Sequence, residues 1–432
     1  MAGNPVKGRT HDLIPGGAHT YSKGDDQFPA NAPAQIVRGR GCRVWDPEGK
    51  EYIDWGMGLR SVILGHCHPA VLRAVRAQLE LGSNFTRPAP IETELAERLT
   101  QLIPAAEMVK FAKNGSDVTS AAVRLARAYT GRDLVAYCSD HPFFSVDDWF
   151  IGTTPCNSGI PGPVAALSKG FRYNRPEELA ALFETHPEQI AAVILEPVTS
   201  EPPRDHFLEK VRDLSRQNGA VLIFDEMITG FRWDLRGAQH YFGVTPDLAT
   251  FGKALGNGFA IAALVGSREI MELGGLRHDR ERVFLLSTTH GGETHAIAAA
   301  LATIAEMERR DVTGLIWATG RQLQEGFREI AAARGVAEYL GLEGYPCSPV
   351  VVCKDAGGNV SAAMRTLFLQ EMAERNILIP YIAISYSHQP TDLELTLEAL
   401  DQTAVVYRHA LEDGAERYLL GPEVKPVFRK YN

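Results

Sequence analysis

The stretch AVLIFDEMITGFRW at 220–233, followed by PDLATFGKALGNGF at 246–259, decides the fold of this chain. Val221 to Phe224 is an unbroken apolar run. A short run that is apolar on both faces suits a strand buried inside an α/β sheet. Asp225 closes that run. Ligands of open α/β sheets bind outside the carboxyl ends of the strands, so an acid there is a site candidate. A buried, ionised Asp needs a charged or hydrogen-bonded partner. A protonated pyridine nitrogen is one such partner, and the pairing keeps such a ring an electron sink. A structural ion pair, for instance with Arg232, is the other reading.

Lys253 lies between Phe251-Gly252 and Ala254-Leu255-Gly256-Asn257-Gly258. Lysines prefer solvent. Desolvation in an apolar, glycine-rich setting lowers the pKa and frees the amine for Schiff-base chemistry. The alternative is a lysine on a surface loop. A third block, Lys113-Asn114-Gly115-Ser116-Asp117, opens a helical pattern that runs to about 130. Small and hydroxyl residues at a helix N-terminus make a phosphate site from free N–H groups and the helix dipole. Ser and Asp also cap many helices that bind nothing.

Outward from these blocks, 432 residues suit a large domain plus a smaller one. The chain is 45% hydrophobic and 22% charged, with a net charge of -9 and no basic run, which argues against nucleic acid. Met1 to Thr10 has no apolar core and does not read as a leader, and no apolar stretch is long enough to span a membrane. The six cysteines are scattered, as expected of reduced thiols in a cytoplasm. His66-Cys67-His68 reads as scaffold and not as a metal site, because adjacent ligands seldom share one tetrahedral ion.

Strands are expected at Gln35–Val37, Cys42–Trp45, Glu51–Ile53, Leu134–Tyr137, Ala191–Leu195, Ala220–Phe224 and Ile261–Val265. Helices are expected at 91–102, from Ser116 or Asp117 to about 130, at Pro203–Gln217 and at Asp392–Leu411. This is an α/β pattern: a mainly parallel sheet flanked by helices, followed after about 310 by a small α+β domain. The glycine- and proline-rich 145–170 reads as a long functional loop, a candidate lid.

Together the blocks resemble the class III aminotransferases, fold-type I enzymes dependent on pyridoxal 5'-phosphate (PLP), and within them the glutamate-1-semialdehyde aminomutase-like branch. NGSDVTSAAVRLARAYTGRD at 114–133, ILEPV at 194–198, LIFDEMITGFR at 222–232 and PDLATFGKALGNG at 246–258 carry the resemblance, with GHCHP at 65–69 and PGG at 15–17. It covers nearly the whole chain. It implies an N-terminal segment 1–64, a large PLP-binding domain 65–308 and a small domain 309–432. It also implies a cytoplasmic homodimer with shared active sites, acting on a small-molecule amino donor and a carbonyl acceptor. Pyridoxamine 5'-phosphate would be the intermediate cofactor form.

By the same resemblance Lys253 is the Schiff-base lysine and proton shuttle, and Asp225 pairs with the pyridine nitrogen. Asn114, Gly115 and Ser116 hold the phosphate. Met227 packs on the ring face, Glu196 lies near the cofactor oxygen, and Thr289 reaches the partner subunit's phosphate. Glu226 and Arg232 look like a structural pair. The family's aromatic-His-Gly triplet is altered: with one inserted residue, Phe143 falls on the ring-stacking position and Phe144 on the histidine.

The substrate positions depart from the aminomutase. Thr20 and Lys23 stand where it has Ser and Arg, and a lysine keeps charge but not the bidentate fork. Leu59 replaces a tryptophan, with Arg60 beside it as a new cation, and the stretch from Pro380 to His388 is shorter and lacks an acid. His19, Tyr21 and Trp149 are further candidate substrate neighbours. The expectation is amino transfer between a donor and an aldehyde or ketone, such as a keto sugar, by a ping-pong cycle. The alternatives are an intramolecular aminomutase on the same machinery and a non-catalytic PLP-fold binding protein.

Overall fold

The computed structural model describes residues 5–431; residues 1–4, part of the stretch read as lacking a leader, lie outside it. The described residues pack as two compact units, one made of those up to His68 together with those from Gly314 onward, the other Pro69–Thr313.

The first unit holds β1 (Arg38–Arg40), β2 (Arg43–Trp45) and β3 (Glu51–Asp54). The unit 69–313 holds β4 (Met108–Ala112), β5 (Leu134–Cys138), β6 (Ser168–Phe171), β7 (Ile190–Leu195), β8 (Val221–Asp225), β9 (Leu248–Phe251) and β10 (Ala262–Gly266). Back in the first unit, β11 (Leu340–Glu343) pairs with β12 (Val350–Cys353), while β13 (Ile377–Leu378) joins β3 in parallel.

The seven strands of the larger unit form one sheet in the order β4-β10-β9-β8-β7-β5-β6. It is parallel from β9 to β6, and β10 runs antiparallel to both neighbours. Every residue of β7 and β8 is buried, the pattern of strands covered by helices on both faces. The parallel crossovers bring the carboxyl ends of β5, β7, β8 and β9 to one edge of the sheet. Among the described residues no helix is long and apolar enough to cross a membrane.

Several expected elements shift. The first strand lies at Arg38–Arg40 instead of Gln35–Val37, although the Val37 N–H still reaches Trp45 O at 2.9 Å. The helix expected from Pro203 starts at Phe207, because Asp205 and His206 are left-handed, with φ of 49° and 57°. The segment 145–170 is no open loop: it contains helices Asp148–Ile151 and Gly162–Ala165 and the start of edge strand β6. Four-residue helices are too short to write a period into the sequence.

Candidate active site

Asp225 ends β8 and is 2% exposed. Its Oδ1 accepts the Met227 N–H at 3.0 Å and the Thr250 hydroxyl at 3.1 Å. Both donors act on the same oxygen; among the described residues none is directed at Oδ2. Burial pushes this carboxyl up from 3.8 to about 6, while the charge of Lys253 and the two hydrogen bonds pull it back. Arg232, also buried, is not among the hydrogen-bond partners of Asp225.

Lys253 follows β9 and opens the short 3-10 helix Lys253–Gly256. Its φ is 39°, the left-handed region that side chains avoid. Such a residue costs on the order of 1–3 kcal/mol and persists where its surroundings fix it. The neighbouring Gly252 packs against Met227: a Cβ on Gly252 would lie 2.6 Å from its Sδ, and one on Gly115 would lie 3.0 Å from it. One thioether thus fills the space left by two glycines, one beside Lys253 and one at the start of the helix Gly115–Thr130.

At that helix start, Asp117 Oδ2 accepts the N–H of Asn114 at 3.0 Å and of Lys113 at 3.3 Å. Ser116 Oγ accepts the Val146 N–H at 3.0 Å, so its own proton remains available to donate. The first N–H groups of the helix have no partner within it. Lys113 is pinned by Ala260 O at 3.1 Å and by Glu293 at 2.7 Å. The segment 287–295, which carries Thr289, is therefore tied to the phosphate-loop candidate. Thr289 itself is exposed, its carbonyl taken by Asn84 Nδ2 at 3.1 Å.

Glu196, just past β7, is buried, and its backbone N–H donates to His141 Nδ1 at 3.0 Å. Phe143 is 42% exposed and meets Phe150 edge-on, whereas Phe144, on the expected histidine position, is fully buried. Glu226 differs from expectation. Its carboxylate is filled by the Thr229 hydroxyl at 2.9 Å, the N–H groups of Ala238 (2.5 Å) and Gln239 (3.0 Å), and Gln239 Nε2 (3.0 Å), in place of Arg232. Trp149, a candidate substrate neighbour, lies on the short helix Asp148–Ile151. It is 6% exposed and its indole N–H donates to Ser120 Oγ at 2.9 Å.

The remaining substrate candidates lie in the other unit. Thr20, Tyr21 and Lys23 are exposed. Arg60 ends a left-handed turn, Met57 to Arg60, with φ of 40°, 58°, 60° and 69°. Successive left-handed L-residues are rare and cost roughly 1–2 kcal/mol each. Asp54 Oδ1 holds the turn through the N–H groups of Gly56 and Met57, at 2.9 and 3.1 Å. The Arg60 guanidinium lies 5.4 Å above the Tyr381 ring, and the Tyr381 hydroxyl donates to Ser22 O at 2.9 Å. Sequence reading missed Thr250, His141 and Tyr381; only register and tertiary contacts give them roles.

A sheet of this order, with an acid at a central strand end and a strained lysine one strand on, defines a fold-type I PLP-dependent enzyme. The aminotransferase class-III family profile matches residues 24–154 and 161–344, and the chain belongs to that family. It is 33% identical over 401 residues to a 3-aminobutyryl-CoA aminotransferase of Cloacimonas acidaminovorans (strain Evry), covering 90% of this chain and 94% of that protein. It is 33% identical over 421 residues to a glutamate-1-semialdehyde 2,1-aminomutase of Syntrophobacter fumaroxidans (strain DSM 10017 / MPOB), covering 90% and 93%. Among solved structures, the PLP form of the FumI protein of Sphingopyxis sp. MTA144 superposes with a TM-score of 0.85 at 26% identity, over 95% of this chain and 96% of that one. An omega-transaminase from Sphaerobacter thermophilus gives 0.83 at 26% identity, over 94% and 98%.

The residues present fit the cofactor. The open Oδ2 of a buried acid suits a pyridinium, the helix start with Ser116 suits a phosphate, and Gly115 and Gly252 leave out the Cβ atoms that would displace Met227.

Proposed function

We propose that this chain is an aminotransferase that moves an amino group between an amino donor and an aldehyde or ketone by a ping-pong cycle. The observation that carries the reading is the pairing of buried Asp225 with strained Lys253, close enough for the lysine's charge to lower the acid's pKa. Bound PLP supplies an electron sink conjugated to the substrate nitrogen. Lys253 would hold the cofactor and would serve as the base and acid that moves the proton at the substrate carbon. Asp225 keeps the pyridine nitrogen protonated, Met227 supports the ring face, and Asn114, Gly115 and Ser116 hold the phosphate. Phe143 covers the ring and Glu196 lies near its oxygen.

In this reading residues 65–308 form the cofactor domain, with 1–64 and 309–432 forming the smaller one. The enzyme works in the cytoplasm as a homodimer, in which Thr289 reaches the partner subunit's phosphate. The exposure of Thr289, and of Leu276 at 82% and Phe284 at 76% on the same stretch, supports a covered face there.

The acceptor carries an anionic or hydroxyl-rich group, such as a keto sugar, met by Arg60, Lys23, Thr20 and Tyr21. Intramolecular amino migration is the second reading, favoured by the aminomutase relatives. The purified enzyme should show half-transamination with an external amine and poor turnover of glutamate-1-semialdehyde. Efficient formation of 5-aminolevulinate would establish the second reading instead. A preparation that holds the cofactor but never passes its amino group on would mark a binding protein.

A further inference from the structure

Among the described residues, the Nε2 of His141 is one of the buried side-chain atoms of the larger unit with no hydrogen-bond partner. His141 is 4% exposed, and its Nδ1 accepts the Glu196 N–H at 3.0 Å. A neutral imidazole with Nδ1 accepting carries its proton on Nε2. Burial pushes the ring down to about 3, so it stays neutral and in that tautomer through the working pH range. Among the described residues nothing accepts a hydrogen bond from Nε2. A buried donor without an acceptor costs free energy, and native proteins keep few of them. The surroundings supply no substitute: the Tyr173 ring lies 5.2 Å from the imidazole and that of Phe144 lies 6.0 Å away. The nearby titratable groups are Glu196, which is buried and meets the ring through its backbone N–H, Asp140 and Cys138. Asp140 accepts the Tyr173 N–H at 2.8 Å, and burial pushes the Cys138 thiol up to about 12.

The topology indicates what Nε2 awaits. His141 comes off the carboxyl end of β5 and bonds the amide just past β7, and β7 lies beside β8, with Leu195 opposite Phe224. The imidazole is therefore held at the sheet edge one strand from Asp225. The phosphate-loop candidate is tied to the opposite side of Asp225, since Lys113 bonds Ala260 O immediately before β10. In PLP the phosphate arm and the ring hydroxyl flank the aldehyde-bearing carbon on opposite sides. A ring anchored by its nitrogen on Asp225 and by its phosphate toward β10 and β4 would turn its hydroxyl oxygen toward β7 and β5.

We propose that His141 is a further cofactor-binding residue, whose Nε2–H donates a hydrogen bond to the ring hydroxyl oxygen of bound PLP. The inference rests on the cofactor reading above. It gives this chain a donor where the altered aromatic-His-Gly triplet had left the histidine position to Phe144. A donor on that oxygen stabilises its anionic form, and so lowers the pH at which the Lys253-linked cofactor loses its proton.

Two variants of the full-length protein separate this role from a scaffold role. In His141→Asn the amide oxygen can still accept the Glu196 N–H, but nothing reaches the Nε2 position. In His141→Gln the amide nitrogen can reach the Nε2 position, but the acceptor for Glu196 is lost. The readouts are the pH midpoint of the visible band of the PLP-loaded protein and the affinity of the cofactor-free protein for PLP. The expected result for His141→Asn is a midpoint raised by about one to two pH units and a PLP affinity about tenfold or more weaker. His141→Gln should stay closer to the wild type in both. An Asn variant that matches the wild type, or a Gln variant that is shifted as far or farther, overturns the proposal. If the wild-type protein itself gives no visible band with PLP, it is the cofactor reading that fails.

Discussion

Thr250 stands opposite Asp225 in the register between β8 and β9, and its hydroxyl donates to Asp225 Oδ1 at 3.1 Å. The bond stabilises the ionised acid and fixes which oxygen is left for the cofactor. Thr250→Val keeps the shape and removes the donor. Hydrogen bonds to charged groups are worth about 1.5–3 kcal/mol, so single-turnover rates should fall about tenfold to a hundredfold. Thr250→Ser should recover most of the loss. A valine variant with the wild-type rate would remove Thr250 from the account.

Asp225 also predicts a pH-dependent stability. Its folded pKa, about 6, lies above the ordinary 3.8 because burial disfavours the charge. The folded, cofactor-free protein therefore holds this proton more tightly than the unfolded chain. Stability is unaffected below about pH 4 and is lost as the pH rises to about 6, by roughly 3 kcal/mol at most. Without PLP, Asp225→Asn should match the wild type at low pH and exceed it at neutral pH. With PLP the order should reverse, because only the aspartate gains a cationic partner. Melting curves across that range, with and without cofactor, test it; the same order in both states would contradict it.

Gly252 and Met227 are packed so closely that a Cβ on Gly252 would lie 2.6 Å from the Met227 Sδ. The φ of Gly252 is -175°, an extended value open to any residue, so the penalty of Gly252→Ala is steric. Overpacking of this kind typically costs about 1–3 kcal/mol. Gly252→Ala should lower stability by that amount, and adding Met227→Ala should restore part of it. Additive losses in the double variant would show that the two positions do not press on each other.

The dimer reading predicts complementation. Lys253→Ala and Thr289→Ala should each be inactive alone. In a hybrid dimer the subunit with intact Lys253 receives Thr289 from its partner. Statistical mixing then restores roughly a quarter of the wild-type activity, one good site in half of the dimers. A fully active monomer in ultracentrifugation would end this reading.

The sequence makes some parts of the site legible and hides others for physical reasons. Val221–Asp225 is readable because a strand buried on both faces is apolar throughout, and the acid that stops it stands out. The helix Gly115–Thr130 is readable from its small residues and Asp117 cap. The strain at Lys253 is not, because a left-handed φ is imposed by packing and not by the identity of the residue. The resemblance pairs Glu226 with Arg232, whereas the fold offers it four donors from Thr229, Ala238 and Gln239. The bond from the Trp149 N–H to Ser120, 29 positions away, is likewise a tertiary contact that no local pattern records. His141 depends on a backbone amide 55 positions away, which no local pattern records.

The central claim is that Lys253 carries the cofactor. Borohydride reduction of the PLP-loaded protein, followed by peptide mapping, tests it most directly. The account predicts a single pyridoxyl label on Lys253, absent from Lys253→Ala, which still binds PLP through its phosphate. A label on any other lysine, or an undiminished label in Lys253→Ala, would contradict it.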